Sequence, residues 1–120
     1  GNSVRHPQQF SADISKRTQE VYQCIIENPF MKETIPDLAC MFGVAESSLK
    51  RCFKSIAGAS IGAFIKTKRM EAAAEMLISE STLSIGEVGS AAGYENQSKF
   101  SAAFKSVLGM TPQAYRHKYC

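Results

Sequence analysis

Ser47, Lys50, Arg51 and Lys54 recur at the spacing of one helix face, and Ser98, Ser101, Ala102 and Lys105 repeat that spacing further on. Such faces are small, polar or basic. Short side chains let a backbone approach a nucleic-acid groove, arginine can bond a guanine edge with two parallel hydrogen bonds, and lysine takes phosphate. Neither face is expected to carry an acid, whereas an ordinary solvated helix face mixes in Glu or Asp. The charge pattern along the chain agrees. Lys50, Arg51, Lys54, Lys66, Lys68 and Arg69 fall in an acid-free stretch, 47–70. Glu71, Glu75, Glu80, Glu87 and Glu95 follow without a base. Lys99, Lys105, Arg116 and Lys118 then follow without an acid. The net charge is only +3, so distribution rather than total points to a polyanion.

Other chemistry finds little support. His6 and His117 stand near the two ends, remote from any cysteine or acid that could partner them. There is no pair of carboxylates on one face and no glycine-rich phosphate loop, so an enzyme is not expected. Cys24, Cys40, Cys52 and Cys120 lack the close pairing of a zinc site, so no metal and no cofactor is expected. Cys24, Cys40 and Cys52 lie among apolar residues and read as buried thiols of a reducing cytoplasm. The five methionines, Met31, Met41, Met70, Met76 and Met110, read mostly as packing residues. No apolar run approaches the ~18 residues that span a bilayer, and "GNSVRHPQQF" lacks the apolar stretch of a signal peptide.

The elements that would position the two faces are helices, because apolar residues recur at helical rather than alternating spacing. A helix over ~15–28 ends before Pro29. Thr34 starts a short helix with Ile35, Leu38, Ala39 and Phe42 inward, stopped at Gly43. A second, ~46–56, turns Leu49, Cys52, Phe53 and Ile56 inward and closes at Gly58. Ser60 caps a long helix, ~60–79, with Ile61, Phe64, Ile65, Met70, Ala73, Ala74 and Leu77 inward. The pattern then restarts. Ser84 and Glu87 form an S-x-x-E capping box; Ile85, Val88, Ala91 and Ala92 are apolar; Gly93 stops the helix. Phe100, Ala103, Phe104 and Val107 face inward over ~97–107, Gly109 closes it, and Thr111-Pro112 opens a last helix.

"FKSIAGASIGAF" and "FKSVLGMTPQAY" are therefore two copies of one sentence. Gly43 and Gly93 lie 50 residues apart and Phe53 and Phe104 lie 51 apart. A short helix, a glycine turn and a second amphipathic helix is the plan of a helix-turn-helix; an ordinary pair of helical hairpins fits the same pattern. A helix of ~20 residues between the copies spans about 30 Å, close to the ~34 Å that separates successive major grooves on one side of B-DNA.

Ser84-Ile85-Gly86-Glu87-Val88, Ala92-Gly93-Tyr94, Phe100, Phe104-Lys105, Gly109, Thr111-Pro112 and Tyr115-Arg116 together resemble the signature of the AraC/XylS family of bacterial transcription regulators. "RMEAAAEML" resembles that family's linker helix. The resemblance covers about residues 15–117. It implies an all-α fold of seven helices, forming two helix-turn-helix subdomains joined by a long linker helix. The expected division is a disordered or extraneous lead over 1–14, a first subdomain over 15–59, the linker over 60–79 and a second subdomain over 80–120. It further implies sequence-specific binding of double-stranded DNA through two successive major grooves, and activation through RNA polymerase. Carried over by position, DNA contacts fall on Ser47, Ser48, Lys50, Arg51 and Lys54 in the first copy. In the second they fall on Asn96, Gln97, Ser98, Ser101 and Lys105, with Lys99 at the flank. Ala102 departs from the arginine common at its position, and Ala45 from the usual Ser or Thr cap. An effector or dimerisation domain, carried by most members, is expected to be absent from this chain. The competing reading is a helical interaction module that docks on RNA polymerase or another regulator.

Overall fold

A computed structural model describes residues 11–120. Among them are seven helices and no strand: α1 (Ala12–Glu27), α2 (Ile35–Met41), α3 (Glu46–Ala57), α4 (Ile61–Ser79), α5 (Ile85–Ala91), α6 (Gln97–Leu108) and α7 (Pro112–Tyr119). None of these helices is long and apolar enough to cross a membrane. Most starts are set by a side chain that takes an otherwise unpaired backbone N–H. Ser11 accepts from Ile14 at 3.1 Å, and Ser60 from Ala63 at 3.2 Å. Thr34 with Asp37, and Ser84 with Glu87, close full capping boxes. The Thr34 backbone N–H and hydroxyl hold the Asp37 carboxyl below its usual range. Asn96 caps α6, and Thr111 caps α7 with Pro112 in its first turn. Ala45 offers α3 no side-chain cap, as its residue type predicts. Of the lead expected over 1–14, residues 1–10 lie outside the described residues, and Ser11 caps α1, which starts at Ala12.

The chain forms two compact units, the first ending at Phe64 and the second running from Ile65 to Cys120. In the first, Val21, Ile25, Leu38, Leu49, Phe53 and Ile61 are buried. Tyr22, Phe53 and Phe64 form an aromatic cluster with ring centroids 4.8 to 5.8 Å apart, within the range of favourable ring pairing. In the second, Met70, Leu77, Val88, Phe100 and Phe104 are buried. An aromatic row runs from Tyr94 through Phe100, Phe104 and Tyr115 to Tyr119.

Several inward assignments are corrected. Ile56 has the phase of Leu49 but is 41% exposed. Ala91 is exposed, whereas Val88 on α5 and Ala92 at its C-cap are buried as expected, together with Gly89. Of the three thiols expected inside, only Cys52 is buried; Cys24 is half-buried and Cys40 exposed. Met41 is 58% exposed rather than packed. Periodicity gives the angle of a side chain on its helix, not whether another element reaches it.

Candidate nucleic-acid interface

The two copies build the same turn. After α2, Gly43 adopts φ 66°, its N–H reaches Cys40 O at 3.2 Å, and Val44 N reaches Ala39 O at 2.9 Å. After α5, Gly93 adopts φ 94°, its N–H reaches Ser90 O at 3.0 Å, and Tyr94 N reaches Gly89 O at 2.9 Å. A residue with a side chain is strained at such φ, which is why glycine stands at both corners. The exits match too: Gly58 N bonds Lys54 O, and Gly109 N bonds Lys105 O, both glycines left-handed.

Leu49, Cys52 and Phe53 bury one side of α3 and so turn the other outward. Ser47, Lys50, Arg51 and Lys54 are exposed there, and Ser48 is half-buried. Lys50, Arg51 and Lys54 also line one groove with Ile35, Ser60, Ile61 and Gly62, which gathers three cations beside α3. The face is not free of acids, however. Glu46, in the first turn of α3, pairs with Lys50 at 3.0 Å. Its position is favoured by the positive end of the helix dipole, and it lowers the charge that Lys50 presents.

On α6, Phe100, Ala103 and Phe104 face inward. Gln97, Ser98, Lys99, Ala102 and Lys105 are exposed, and Ser101 is half-buried. Asn96 is at the corner rather than on the helix. Its side-chain oxygen accepts from Lys99 N at 3.1 Å, so the acceptor half of that amide holds the helix start. Gln97 leans toward α5: its Oε1 is 3.2 Å from where a Cβ on Gly86 would stand. The first turn of α6 has no acid and its last turn has Lys105.

Two arginines serve the framework. Arg116 of α7 donates to Leu77 O at 3.0 Å, Leu83 O at 2.6 Å and Glu80 O at 3.3 Å. It thereby ties down the end of α4 and the loop into α5, and its charge leaves the basic block read from the sequence. Arg17 of α1 bonds Phe42 O at 2.9 Å, at the end of α2, and pairs with Asp13 at 2.9 Å. The Asp13/Arg17 spacing marks a helical ion pair, but no sequence signal shows that Arg17 also reaches Phe42. His117 is exposed, and His6 lies outside the described residues. Among the described residues no group of three His, Cys, Asp or Glu is placed to hold a metal ion.

A glycine-cornered helix pair made twice, each with its second helix anchored by buried apolar residues and polar on the outside, defines a tandem helix-turn-helix DNA-binding domain. Residues 38–118 match the family described as "Helix-turn-helix domain". An AraC-like transcription regulator of Streptomyces lividans is 34% identical over 93 residues, which cover 78% of this chain and 30% of that protein. The C-terminal domain of AraT, a response regulator from Geobacillus stearothermophilus, superposes with a TM-score of 0.75 at 31% identity. That match covers 92% of this chain and 88% of the other. The DNA-binding domain of AdpA, solved in complex with a target DNA, superposes with a TM-score of 0.78 at 25% identity, covering 86% and 92%. The chain belongs to the AraC/XylS family of transcription regulators and has the fold of its DNA-binding domain.

Proposed function

We propose that this chain binds specific double-stranded DNA by placing α3 and α6 in successive major grooves. The observation that carries the reading is the duplicated turn, which presents two helices with anchored inner faces and polar outer faces. α4 has 19 residues, a length of about 28 Å at ~1.5 Å per residue. That is close to the ~34 Å repeat of B-DNA. In this reading Arg51 reads a base edge, and Lys54, Lys99 and Lys105 take phosphates. Ser47, Ser48, Asn96, Gln97, Ser98 and Ser101 supply short polar contacts, and Lys50 shares its charge between Glu46 and the DNA. Residues 15–59 and 80–120 act as the two reading subdomains, with 60–79 as linker. The domain acts by binding and not by catalysis, in the cytoplasm of a bacterium. It activates transcription by contact with RNA polymerase.

The test begins with duplexes selected from a random pool. Inserting five base pairs between the two preferred halves places them on opposite sides of the duplex. Affinity is expected to fall to that of one half alone, and insertion of a full turn to recover less than the original. Equal binding at every spacing would defeat the two-groove reading. Absence of binding even at low salt would favour a protein-interaction module, because phosphate contacts strengthen as salt falls.

A further inference from the structure

We propose that the groove beside α3 is a small-molecule site for a soluble phosphate monoester carrying an apolar chain, and that this ligand and DNA exclude one another. The exclusion rests on the reading of α3 as a DNA-reading helix; the site itself does not. The groove lies wholly within the first unit and has a volume of about 410 Å³, inside the range of about 300–1,000 Å³ usual for ligand pockets. Two kinds of wall meet in it. Ile35, half-buried, and Ile61, buried, are apolar. Lys50, Arg51 and Lys54 bring three cations, and no acid is among the lining residues. The carbon stems of these side chains can flank an apolar chain while their heads meet an anion. Glu46 stands outside the lining and pairs with Lys50 at 3.0 Å. Three cations and that one acid leave a formal charge of +2. A phosphate monoester carries about −1.5 to −2 at neutral pH and so matches it, whereas a carboxylate brings a single charge. A bare phosphate would leave the isoleucine walls facing water, and a neutral chain would leave the cations unmatched.

Gly62 supplies an independent observation. It is the second residue of α4, its φ is not positive, and nothing stands within 4 Å of where a Cβ would be. Neither backbone conformation nor packing inside the protein asks for glycine there, and glycine disfavours a helix. What its missing side chain leaves is room in the groove that it lines. The N–H groups of Ile61 and Gly62 also precede the first intrahelical bond of α4, Phe64 N to Ser60 O at 2.9 Å. The positive end of that helix dipole adds to the pull of the three cations on a phosphate.

The test titrates octyl phosphate, below the concentration at which it forms micelles, into the protein and follows backbone amide shifts by NMR. Inorganic phosphate, octanol and octanoate are the other arms, at matched ionic strength. Octyl phosphate is expected to saturate, to shift Ile35, Ile61 and Gly62 most, and to bind at least tenfold more tightly than any other arm. Equal binding of inorganic phosphate would leave an anion site only, of octanol an apolar patch only, and of octanoate no preference for phosphate; each result overturns the proposal. Gly62→Leu fills the groove without touching a cation. It should weaken octyl phosphate at least tenfold in a folded protein, and unchanged binding overturns the assignment. Should Gly62→Leu unfold, Ile35→Ser, which strips an apolar wall, takes its place with the same expectation. Saturating octyl phosphate should raise the apparent Kd of the parent for the selected duplex at least tenfold, while octanol at the same concentration leaves it unchanged. Duplex and octyl phosphate bound together at unaltered affinity would overturn the exclusion. If the parent selects no duplex at all, the DNA reading fails, and the octyl phosphate titration alone decides the site.

Discussion

Arg51 has Ala102 as its counterpart in the second copy, whereas Lys54 has Lys105. In the proposed reading the two elements therefore share a phosphate contact and differ where the first reads a base. Arg51→Ala is expected to lose about 1–3 kcal/mol on the preferred site and to relax preference at one base pair. Lys105→Ala should weaken all sequences alike and reduce the salt slope by about one charge. Titrations of both variants at several salt concentrations, on the site and its single-base variants, separate these effects. Equal loss on every variant would make Arg51 a phosphate contact. Behind the polar faces, Phe53 and Phe104 are fully buried, and replacing either by Ala should cost roughly 3–5 kcal/mol. Melts as high as the parent's would show that they are not the anchors. Phe53, Phe104 and Leu49 were legible because apolar spacing and the duplication coincide on them. Ile56 and Cys40 were misread because exposure depends on what lies across from a helix. The Glu46–Lys50 pair is not legible from charge blocks because the acid stands one residue before the acid-free stretch 47–70.

Caps and corners carry the helices, and here the sequence was clear. Ser84/Glu87, Thr34, Gly43, Gly93, Gly58 and Gly109 stand where backbone groups need a partner or φ must be positive, and those demands are local. Contacts between distant elements were not legible. The three carbonyls held by Arg116 come from residues 33 to 39 positions earlier, and nothing in the spacing announces them. Arginine suits this place because its planar fork reaches several acceptors at once. Arg116→Ala is expected to cost about 1–3 kcal/mol, as charged groups that lose hydrogen bonds do. Arg116→Lys should recover only part, since one ammonium cannot satisfy the same three directions. Hydrogen exchange should show faster opening of the α4 end and the 80–83 loop in the alanine variant. Exchange confined to α7 would mean that the arginine holds only its own helix.

On the scale of the whole chain, a modest net charge of +3 is divided between two tasks. Arg17 and Arg116 hold carbonyls within their own units, while Lys54, Lys99 and Lys105 face solvent. Block counting along the sequence cannot separate those tasks, because it does not see which cations turn inward. The duplication was legible, since each unit repeats a short-range pattern that needs no knowledge of the other. Cys52 gives the first unit something more. Cys52 is 1% exposed on the inner side of α3, whereas Cys40 and Cys120 are open to solvent. A thiol reagent should mark Cys40 and Cys120 at once but reach Cys52 only when α3 lifts from the unit. Local opening of this kind has its own free energy. Duplex DNA held on the opposite face of α3 at a hundred times its dissociation constant should deepen that free energy by about 2.7 kcal/mol, slowing the labelling of Cys52 roughly a hundredfold. Peptide mass spectrometry would follow each sulfur separately, and an unchanged Cys52 rate would mean that DNA does not clamp α3. The chain thus carries a native clock for the dwell of its first reading helix, with no added probe.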